Sequence, residues 1–213
     1  MRNVLPLRTA DRRHDRPRKL ADDLCFTPEL VEVFLEEYTQ VGDVVFDPFA
    51  GFGTALVVAE RMQRRPLGLE ILPERAEFIR SQLTGSSAVL IADSRHLHQL
   101  DLPRIDFSIS SPPYMTKVNH PQNPLSGYQS LDGDYPTYLR ELTRIYGALA
   151  ERLTPGARVV INAANLRDGP TPLAWDIAGA VSSVLTFERE IVIDWDRPQA
   201  WFTNDYCLLF HAS

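Results

Sequence analysis

Short apolar runs alternate with amphipathic segments along the chain from residue 27 onward. The runs are rich in Val, Ile, Leu and Phe, as in buried strands, and the segments between them repeat their apolar residues at helical spacing. The predicted strands are residues 44–46, 66–71, 88–92, 105–110, 158–163, 188–195 and 206–211. The predicted helices start at Thr27 and near Thr54 and cover residues 73–83, 135–153 and 171–185. This alternation predicts an α/β fold, in which helices cover a doubly wound, mostly parallel sheet of seven strands.

Three segments depart from this alternation. The last two predicted strands lie close together in sequence and predict an antiparallel hairpin at the edge of the sheet. Residues 1–22 show no periodicity and predict a flexible basic arm, so that residues 23–213 form a single domain. A polar segment rich in Pro, Asn, Gly and Ser covers residues 115–134 and predicts a mobile loop. A length of 213 residues with 44% hydrophobic content suits one such domain.

The charge of the chain is unevenly distributed. The net charge is −6, which argues against a general binder of polyanions. Residues 1–20 nevertheless hold seven cationic side chains against two carboxylates, a local net charge of +5. Such an arm could neutralise a few phosphates of a nucleic acid, or act only as a solubilising tail. The cations predicted to contact nucleic acid are Arg12, Arg13, Arg16, Arg18 and Lys19.

Composition excludes several other classes of protein. No run of about 18 apolar residues is present, so no membrane span is expected. The N-terminus lacks the apolar core of a secretory signal, and a cytoplasmic location is therefore expected. Cys25 and Cys207 are too few and too far apart to suggest a disulfide framework or a zinc site, and no bound metal is expected.

A glycine-containing turn follows the first predicted strand and leads into a predicted helix. It reads Asp47-Pro48-Phe49-Ala50-Gly51-Phe52-Gly53-Thr54. Ligands of open α/β sheets bind beside such a turn, where glycine lets the backbone approach closely and the helix N-terminus favours a carboxylate. The residues predicted to contact a ligand here are Asp47, Pro48, Phe49, Gly51, Gly53 and Thr54.

Two acidic residues end the next two predicted strands. Glu70 could accept hydrogen bonds from both hydroxyls of a ribose, and Asp93 could accept one from an adenine amino group. Either acid alone could simply cap the following helix, but the turn and both acids in sequence favour a nucleoside site. A nicotinamide dinucleotide is an alternative, although the turn lacks the three-glycine fingerprint that binds a pyrophosphate. S-adenosylmethionine, a nucleoside without a pyrophosphate, fits the pattern and is the predicted cofactor.

A second motif, Ser111-Pro112-Pro113-Tyr114, follows the fourth predicted strand and is called the SPPY motif below. The prolines fix the backbone, so that the Ser111 hydroxyl and the Pro112 carbonyl can point into one pocket beside the ring of Tyr114. Two acceptors beside a flat ring suit a planar base that carries an amino group. Hydrogen bonds from that amine free its lone pair to attack the sulfonium methyl in line. All four residues are predicted to be catalytic, and Ser111 is also expected to border the cofactor.

Together the two motifs resemble those of the amino-group DNA methyltransferases, which modify cytosine N4 or adenine N6. The serine form of the second motif resembles the cytosine-N4 branch, whereas adenine-N6 enzymes usually have Asp or Asn at that position. The resemblance covers about residues 24–211 and implies a Rossmann-like, class I methyltransferase fold. It implies transfer without a covalent intermediate, and neither cysteine follows a proline as the nucleophile of carbon-methylating enzymes does. It also implies that Phe26 and Thr27 close over the methionine end of the cofactor.

The resemblance leaves DNA recognition open. Family members that read a defined site usually carry a large recognition domain, and none is expected within these 213 residues. The basic arm and the loop 115–134 are the candidates, and the loop residues predicted to contact DNA are Lys117, Asn119, His120 and Tyr128. A homodimer, or a separate specificity or restriction subunit, could supply the rest.

Three alternatives to a cytosine-N4 DNA methyltransferase stay open. The substrate could be tRNA or rRNA, because RNA enzymes use a similar sheet and a related Pro-Pro-Tyr motif. The target could be adenine N6 in DNA. The chain could also be a catalytically inactive partner subunit that binds the cofactor.

Overall fold

The computed structural model describes residues 3–8, 27–85, 88–117, 121–167, 171–197 and 202–212. Within them it contains one sheet of eight strands, in the order β1-β7-β8-β6-β5-β2-β3-β4. The strands are β1 (Val4–Leu7), β2 (Val44–Asp47), β3 (Arg65–Glu70), β4 (Val89–Ile91), β5 (Ile105–Ser110), β6 (Leu153–Leu166), β7 (Thr186–Trp195) and β8 (Phe202–His211). The helices are α1 (Pro28–Tyr38), α2 (Thr54–Arg61), α3 (Pro73–Arg80), α4 (Tyr135–Ala150) and α5 (Leu173–Val181). The predicted α/β class and the mostly parallel sheet are confirmed.

The C-terminal hairpin formed by β7 and β8 is present, but it does not form the edge of the sheet. Strand β8 lies between β6 and β7 and is antiparallel to both. Beyond β7 the sheet continues with β1, which pairs in parallel from Val4 opposite Val192 to Leu7 opposite Trp195. The sheet therefore has one strand more than the seven predicted, and β1 and β4 are its edges.

Strand β1 also corrects the prediction that residues 1–22 are irregular throughout. Its four residues are too few to show a period of two, and they include Pro6, which is unfavourable inside a strand. An edge strand tolerates proline because one side of its backbone is not paired. Leu7 is buried, so this part of the arm belongs to the domain. The cations Arg12, Arg13, Arg16, Arg18 and Lys19 lie outside the described residues, and their contact with nucleic acid stays a prediction.

Helices cover both faces of the sheet because successive strand residues point to opposite sides. On β2, Phe46 belongs to the core under α4 and α5, whereas Val45 belongs to the core under α1 and α2. Helix α3 packs beside α2 in a smaller cluster around Ile79. In the part of the chain that is described, no helix is both long and apolar enough to cross a bilayer.

Local signals in the sequence fix the beginnings of the helices. Thr27 caps α1, where its hydroxyl oxygen accepts a hydrogen bond from the Leu30 amide at 3.3 Å. Asp134 caps α4 in the same way. Helix α4 then presents Tyr138 and Tyr146 to the core, and both side chains are almost completely buried. These two phenols become important at the site described next.

Candidate active site

A cavity of about 270 Å³ lies at the carboxyl ends of strands β2, β3 and β5. The parallel pairing of β2 with β3 and with β5 places these three ends side by side. Both predicted motifs contribute to the wall of the cavity, although they are far apart in sequence. The predicted site residues that line it are Asp47, Pro48, Phe49, Gly51, Thr54, Glu70, Ser111, Pro112, Pro113, Tyr114 and Tyr128.

Glu70 holds the glycine turn from the end of β3. One carboxylate oxygen accepts a hydrogen bond from the Gly51 amide at 2.8 Å, and the other accepts one from the Leu72 amide, also at 2.8 Å. Burial raises the pKa of Glu70, while the two amides and the nearby Arg75 act in the opposite direction. Each oxygen of a carboxylate can accept a further hydrogen bond. Glu70 can therefore hold the turn and still accept the hydroxyls of a ribose.

Asp47 lies beside Glu70 and is more deeply desolvated. Its side chain accepts a hydrogen bond from the Phe49 amide at 2.9 Å. Burial and, to a smaller extent, the negative charge of Glu70 raise the pKa of Asp47 to about 8, although the hydrogen bond from the Phe49 amide lowers it. A positive ligand would favour the ionised form of both acids. S-adenosylmethionine carries a sulfonium and an ammonium group, so this pair of acids fits the predicted cofactor.

The two glycines of the turn have different roles. Both adopt positive φ angles, 56° at Gly51 and 77° at Gly53, which glycine tolerates best. Gly51 lines the cavity, but Gly53 does not. A Cβ atom at Gly53 would lie 2.8 Å from Cγ2 of Ile79 on α3. Gly53 therefore allows close packing against α3, and its predicted ligand contact stays a prediction.

Asp93 is also absent from the described wall of the cavity. Its carboxylate accepts a hydrogen bond from the Arg95 amide at 2.9 Å and caps a short 3₁₀ turn, Ser94–Gln99. The same carboxylate forms an ion pair with the Arg95 guanidinium at 2.6 Å. Asp93 thus caps this turn, as the capping alternative expects, and its predicted contact with an adenine amino group stays a prediction. Its neighbour Ser94 lines the cavity instead.

Helix α4 fixes the SPPY motif through two buried phenols. The Tyr138 hydroxyl donates to the Pro113 carbonyl at 3.0 Å. The hydroxyl groups of Tyr146 and Ser110 are hydrogen-bonded at 2.8 Å, immediately before the motif. Since Tyr138 satisfies the Pro113 carbonyl, the Pro112 carbonyl and the hydroxyl of Ser111 remain the candidate acceptors for a substrate amine.

Tyr114 is anchored at its hydroxyl end. Its oxygen accepts a hydrogen bond from the Ser111 hydroxyl and donates one to the Asn162 main-chain carbonyl, both at 3.4 Å. Burial raises the pKa of Tyr114 well above its usual value, so the phenol stays protonated at neutral pH. The side chain is therefore suited to act as a neutral ring beside the cavity rather than as a proton acceptor.

Residues 123–128 pack against the domain and contribute to the wall of the cavity, which corrects the prediction of a mobile loop for this part of residues 115–134. Asn123 and Ser126 are buried, and the Asn123 amide donates to the Glu141 carboxylate on α4 at 3.0 Å. Leu125 and Tyr128 line the cavity from this segment. Tyr128 remains 45% exposed, so its ring is still available to a substrate.

The other predicted contacts lie away from the cavity or outside the described residues. Lys117 does not line the cavity, and its ammonium group pairs with the Asp176 carboxylate at 2.8 Å. Thr27 caps α1 and does not line the cavity either. Its closure over the methionine end stays a prediction. The residues outside the described part are Phe26, Asn119 and His120.

Sequence reasoning missed several wall residues. Those not predicted include Phe52, Ile71, Leu72, Arg75, Ser94 and Leu125. Ile71 and Leu72 directly follow Glu70, and Arg75 lies with its guanidinium 5.1 Å from the centre of the Phe52 ring. Their position in the sequence could have identified some of them, because residues that follow the end of a strand in this fold lie at the ligand-binding edge of the sheet.

Part of this site is similar to known DNA methylases. A family model described as DNA methylase matches residues 8–81, which include the glycine turn and Glu70. The Type II methyltransferase M.MjaII of Methanocaldococcus jannaschii is 46% identical over 48 residues, 22% of this chain and 9% of that protein. The Type II methyltransferase M.XycI of Xanthomonas campestris pv. cyanopsidis is 35% identical over 66 residues, 31% of this chain and 22% of that protein.

Over residues 8–81 the chain is similar to the DNA methylase family. This similarity supports the predicted amino-group DNA methyltransferase family and S-adenosylmethionine as the cofactor of its members. The family includes enzymes of both the cytosine-N4 and the adenine-N6 type. The chain matches only 9% and 22% of the lengths of the two curated relatives. The match to the family model ends at residue 81, before the SPPY motif, so it does not test the assignment to the cytosine-N4 branch.

Solved structures confirm the class I methyltransferase fold. TrmN from Thermus thermophilus superimposes with a TM-score of 0.61 at 20% identity, covering 92% of this chain and 52% of that chain. A TehB-like S-adenosylmethionine-dependent methyltransferase from Corynebacterium glutamicum gives a TM-score of 0.60 at 13% identity, covering 92% of this chain and 94% of that chain. At these identities the likeness concerns the fold alone.

Proposed function

We propose that the protein transfers a methyl group from S-adenosylmethionine to the exocyclic amine of a base in DNA, with cytosine N4 as the preferred target. The observation that carries this proposal is the shared cavity, whose wall includes Glu70, the glycine turn and the SPPY motif. A methyl donor held by the turn and an amine held by the motif would meet in one space of about 270 Å³. Such proximity allows direct transfer without a covalent intermediate on the protein.

The residues of the SPPY motif would prepare the amine for attack. The amino group of cytosine is a weak nucleophile because its lone pair is delocalised into the ring. The Ser111 hydroxyl and the Pro112 carbonyl accept hydrogen bonds from this group and localise the lone pair on nitrogen. Tyr114 stacks on the base, and Tyr138 keeps the motif in place. The nitrogen loses its proton after the transfer, so no general base is assigned.

The preference for cytosine rests on Ser111. The family contains enzymes of both specificities, and the serine form of the motif resembles the cytosine-N4 branch. Methylated plasmid DNA, digested to nucleosides and analysed by mass spectrometry, tests this assignment. We expect N4-methyldeoxycytidine, and N6-methyldeoxyadenosine would contradict the choice of base. The Tyr114→Ala variant is the matched control and should give neither product.

A parallel assay with tRNA and rRNA separates the nucleic-acid alternatives. We expect transfer of label from the tritiated cofactor to DNA. Label in RNA alone would make the protein an RNA base methyltransferase. Binding of S-adenosylmethionine without transfer to any nucleic acid would make it an inactive partner subunit. The similarity to Type II methyltransferases also favours a place in restriction and modification. A homodimer or a specificity subunit would be visible as a larger species by size-exclusion chromatography with DNA.

Contact between the basic arm and DNA is a further part of this proposal. Deleting residues 1–20 would be an unsuitable test, because it would remove β1 from the sheet. Replacing the five arm cations, Arg12, Arg13, Arg16, Arg18 and Lys19, with Gln removes their charge and keeps β1. We expect weaker DNA binding and a shallower dependence of affinity on salt. An unchanged salt dependence would mean that the arm is a solubilising tail.

A further inference from the structure

A buried carboxylate, Asp205, lies near the SPPY motif in strand β8, and no step proposed so far uses it. Its side chain is 6% exposed. One oxygen accepts a hydrogen bond from the Asn162 side-chain amide at 2.8 Å, and the other accepts one from the indole N–H of Trp195 at 3.0 Å. Both donors are uncharged, so they hold the carboxylate in place without neutralising it.

Asn162 connects this carboxylate to the SPPY motif. Its main-chain carbonyl accepts the hydrogen bond from the Tyr114 hydroxyl, while its side chain binds Asp205 and the Tyr206 carbonyl. The charge of Asp205 is close enough to raise the pKa of Tyr114, in addition to the larger effect of burial. Asp205 therefore lies close to Tyr114, which lines the cavity on the side assigned to the base.

The proposed reaction moves positive charge towards this side. The lone pair of the amine forms the new N–C bond while the C–S bond breaks, and the electron pair of that bond returns to sulfur. The positive charge thus passes from sulfur to nitrogen, and the nitrogen then releases a proton to solvent. A fixed negative charge near the nitrogen stabilises the transition state more than the ground state, because the positive charge on nitrogen develops during the step.

We propose that Asp205, ionised and held by Asn162 and Trp195, accelerates methyl transfer by favouring the positive charge that forms on the attacked amine. This inference rests on the proposed function. Asp205 acts through its charge from behind Tyr114 and does not itself bind the base. Asp47 and Glu70 lie on the cofactor side, where the positive charge is lost, so they cannot replace it.

The surroundings of Asp205 make its charge testable by pH. Burial raises the pKa of Asp205, while the hydrogen bonds from Trp195 and Asn162 lower it. The net result is a pKa of about 6. Among the described residues, the ionisable groups that face it are Tyr114 and Cys207, and burial raises the pKa of both. The side chains of β6 and β7 that contact Asp205 are Asn162 and Trp195, and neither of them titrates. Of these groups only Asp205 changes its charge between about pH 5 and about pH 7.

The test is the single-turnover rate of methyl transfer to a DNA duplex, with cofactor and DNA saturating, measured from about pH 5 to about pH 7. We expect the rate of the unmodified protein to rise roughly tenfold, with a midpoint near the pKa of Asp205. The Asp205→Asn variant should keep the low rate at every pH, with an unchanged dissociation constant for the cofactor. Trp195→Phe removes one donor but leaves the charge, so it should keep the rise and move its midpoint to higher pH.

Each outcome bears on the inference. A pH-independent rate in the unmodified protein, or a rise that persists in Asp205→Asn, would overturn it. If Asp205→Asn does not fold, the Trp195→Phe variant still tests the inference. An unshifted midpoint of its pH–rate profile would contradict the role of Asp205. Absence of transfer by the unmodified protein to any nucleic acid would instead refute the proposed function.

Discussion

The cofactor side and the base side of the cavity are built by different means. On the cofactor side, main-chain amides of the adjoining turns bind the carboxylates of Asp47 and Glu70. On the base side, side chains from distant elements hold the SPPY motif, chiefly the phenols of Tyr138 and Tyr146 on α4. The first arrangement is contained in one β-α-β unit, β2 to β3. The second needs β5, α4, β6 and β8 together.

This difference teaches where each function is vulnerable. A change on the cofactor side acts on a compact local unit and should alter cofactor affinity first. A change on the base side acts on groups that position the amine and should alter the rate of transfer first.

Replacing Tyr114 with Ala should have the largest effect. It removes the ring that stacks on the base, and loss of stacking and orientation together should slow transfer about 100-fold or more. Cofactor affinity measured by calorimetry should stay nearly unchanged, because the acids of the cofactor side are untouched. Tyr114→Phe keeps the ring and loses only the hydroxyl contacts, so its rate should fall much less. An equal loss of cofactor affinity in Tyr114→Ala would break the division between the two sides.

Replacing Glu70 with Gln should weaken cofactor binding about 10- to 100-fold, the range expected for lost hydrogen bonds to a charged group. The new amide would face the Gly51 or the Leu72 amide, so two donors would oppose each other. At saturating cofactor the rate of transfer should be close to normal. Glu60→Gln is the matched control, since Glu60 lies exposed on α2 and binds Thr84. Unchanged cofactor affinity in Glu70→Gln would contradict the assignment of Glu70.

Asp47 should make cofactor binding dependent on pH. Because its pKa is raised to about 8, the free protein holds a proton at neutral pH. A cationic ligand favours the ionised form and lowers this pKa, so binding releases protons, and affinity should rise up to about tenfold as pH increases from about 6 to about 7.5. Calorimetry in buffers of different ionisation enthalpy measures the released protons. Asp47→Asn should abolish the release and Asp43→Asn should not, whereas proton uptake on binding would contradict the assignment.

Replacing Gly53 with Ala should have the smallest effect, and on stability only. The new methyl group would meet Ile79 in a left-handed turn, which should lower the free energy of unfolding by about 1–3 kcal/mol. Gly42→Ala is the matched control, because Gly42 also has a positive φ but no atom within 4 Å of the added Cβ. Chemical denaturation of both variants isolates the clash. Equal losses of stability would show that Gly53 is not required for packing.

Much of the cofactor side could be predicted from the sequence because its contacts are local. Strand β2, the glycine turn and α2 follow each other directly, and Glu70 ends the next strand. Asp93 occupies the corresponding place after β4, yet it binds Arg95 two residues later. A strand-end acid has the same sequence signature in either role. Only the structure shows that Glu70 lines the cavity and that Asp93 does not belong to its described wall.

The base side could be predicted only at the SPPY motif itself. The helix predicted over residues 135–153 contains Tyr138 and Tyr146, but a helical pattern does not reveal which carbonyl or hydroxyl a phenol meets. Strand β1 was missed for a related reason, since pairing at a sheet edge depends on a partner almost two hundred residues away, Val192 opposite Val4. The segment 121–134 has the composition of a loop, and its composition does not reveal that Gly127 lies close to Ile71 and Leu72.

The sequence alone determined the fold class, the two motifs and the acid at the end of β3, because periodicity and turn residues act over a few positions of the chain. The tertiary structure decided which of the predicted residues share one cavity. It also decided that Asp93 caps a 3₁₀ turn and that Asp205 lies close to Tyr114. Hydrogen bonds and charge interactions depend on distances in space, and those distances are fixed only when β5, α4, β6 and β8 pack together.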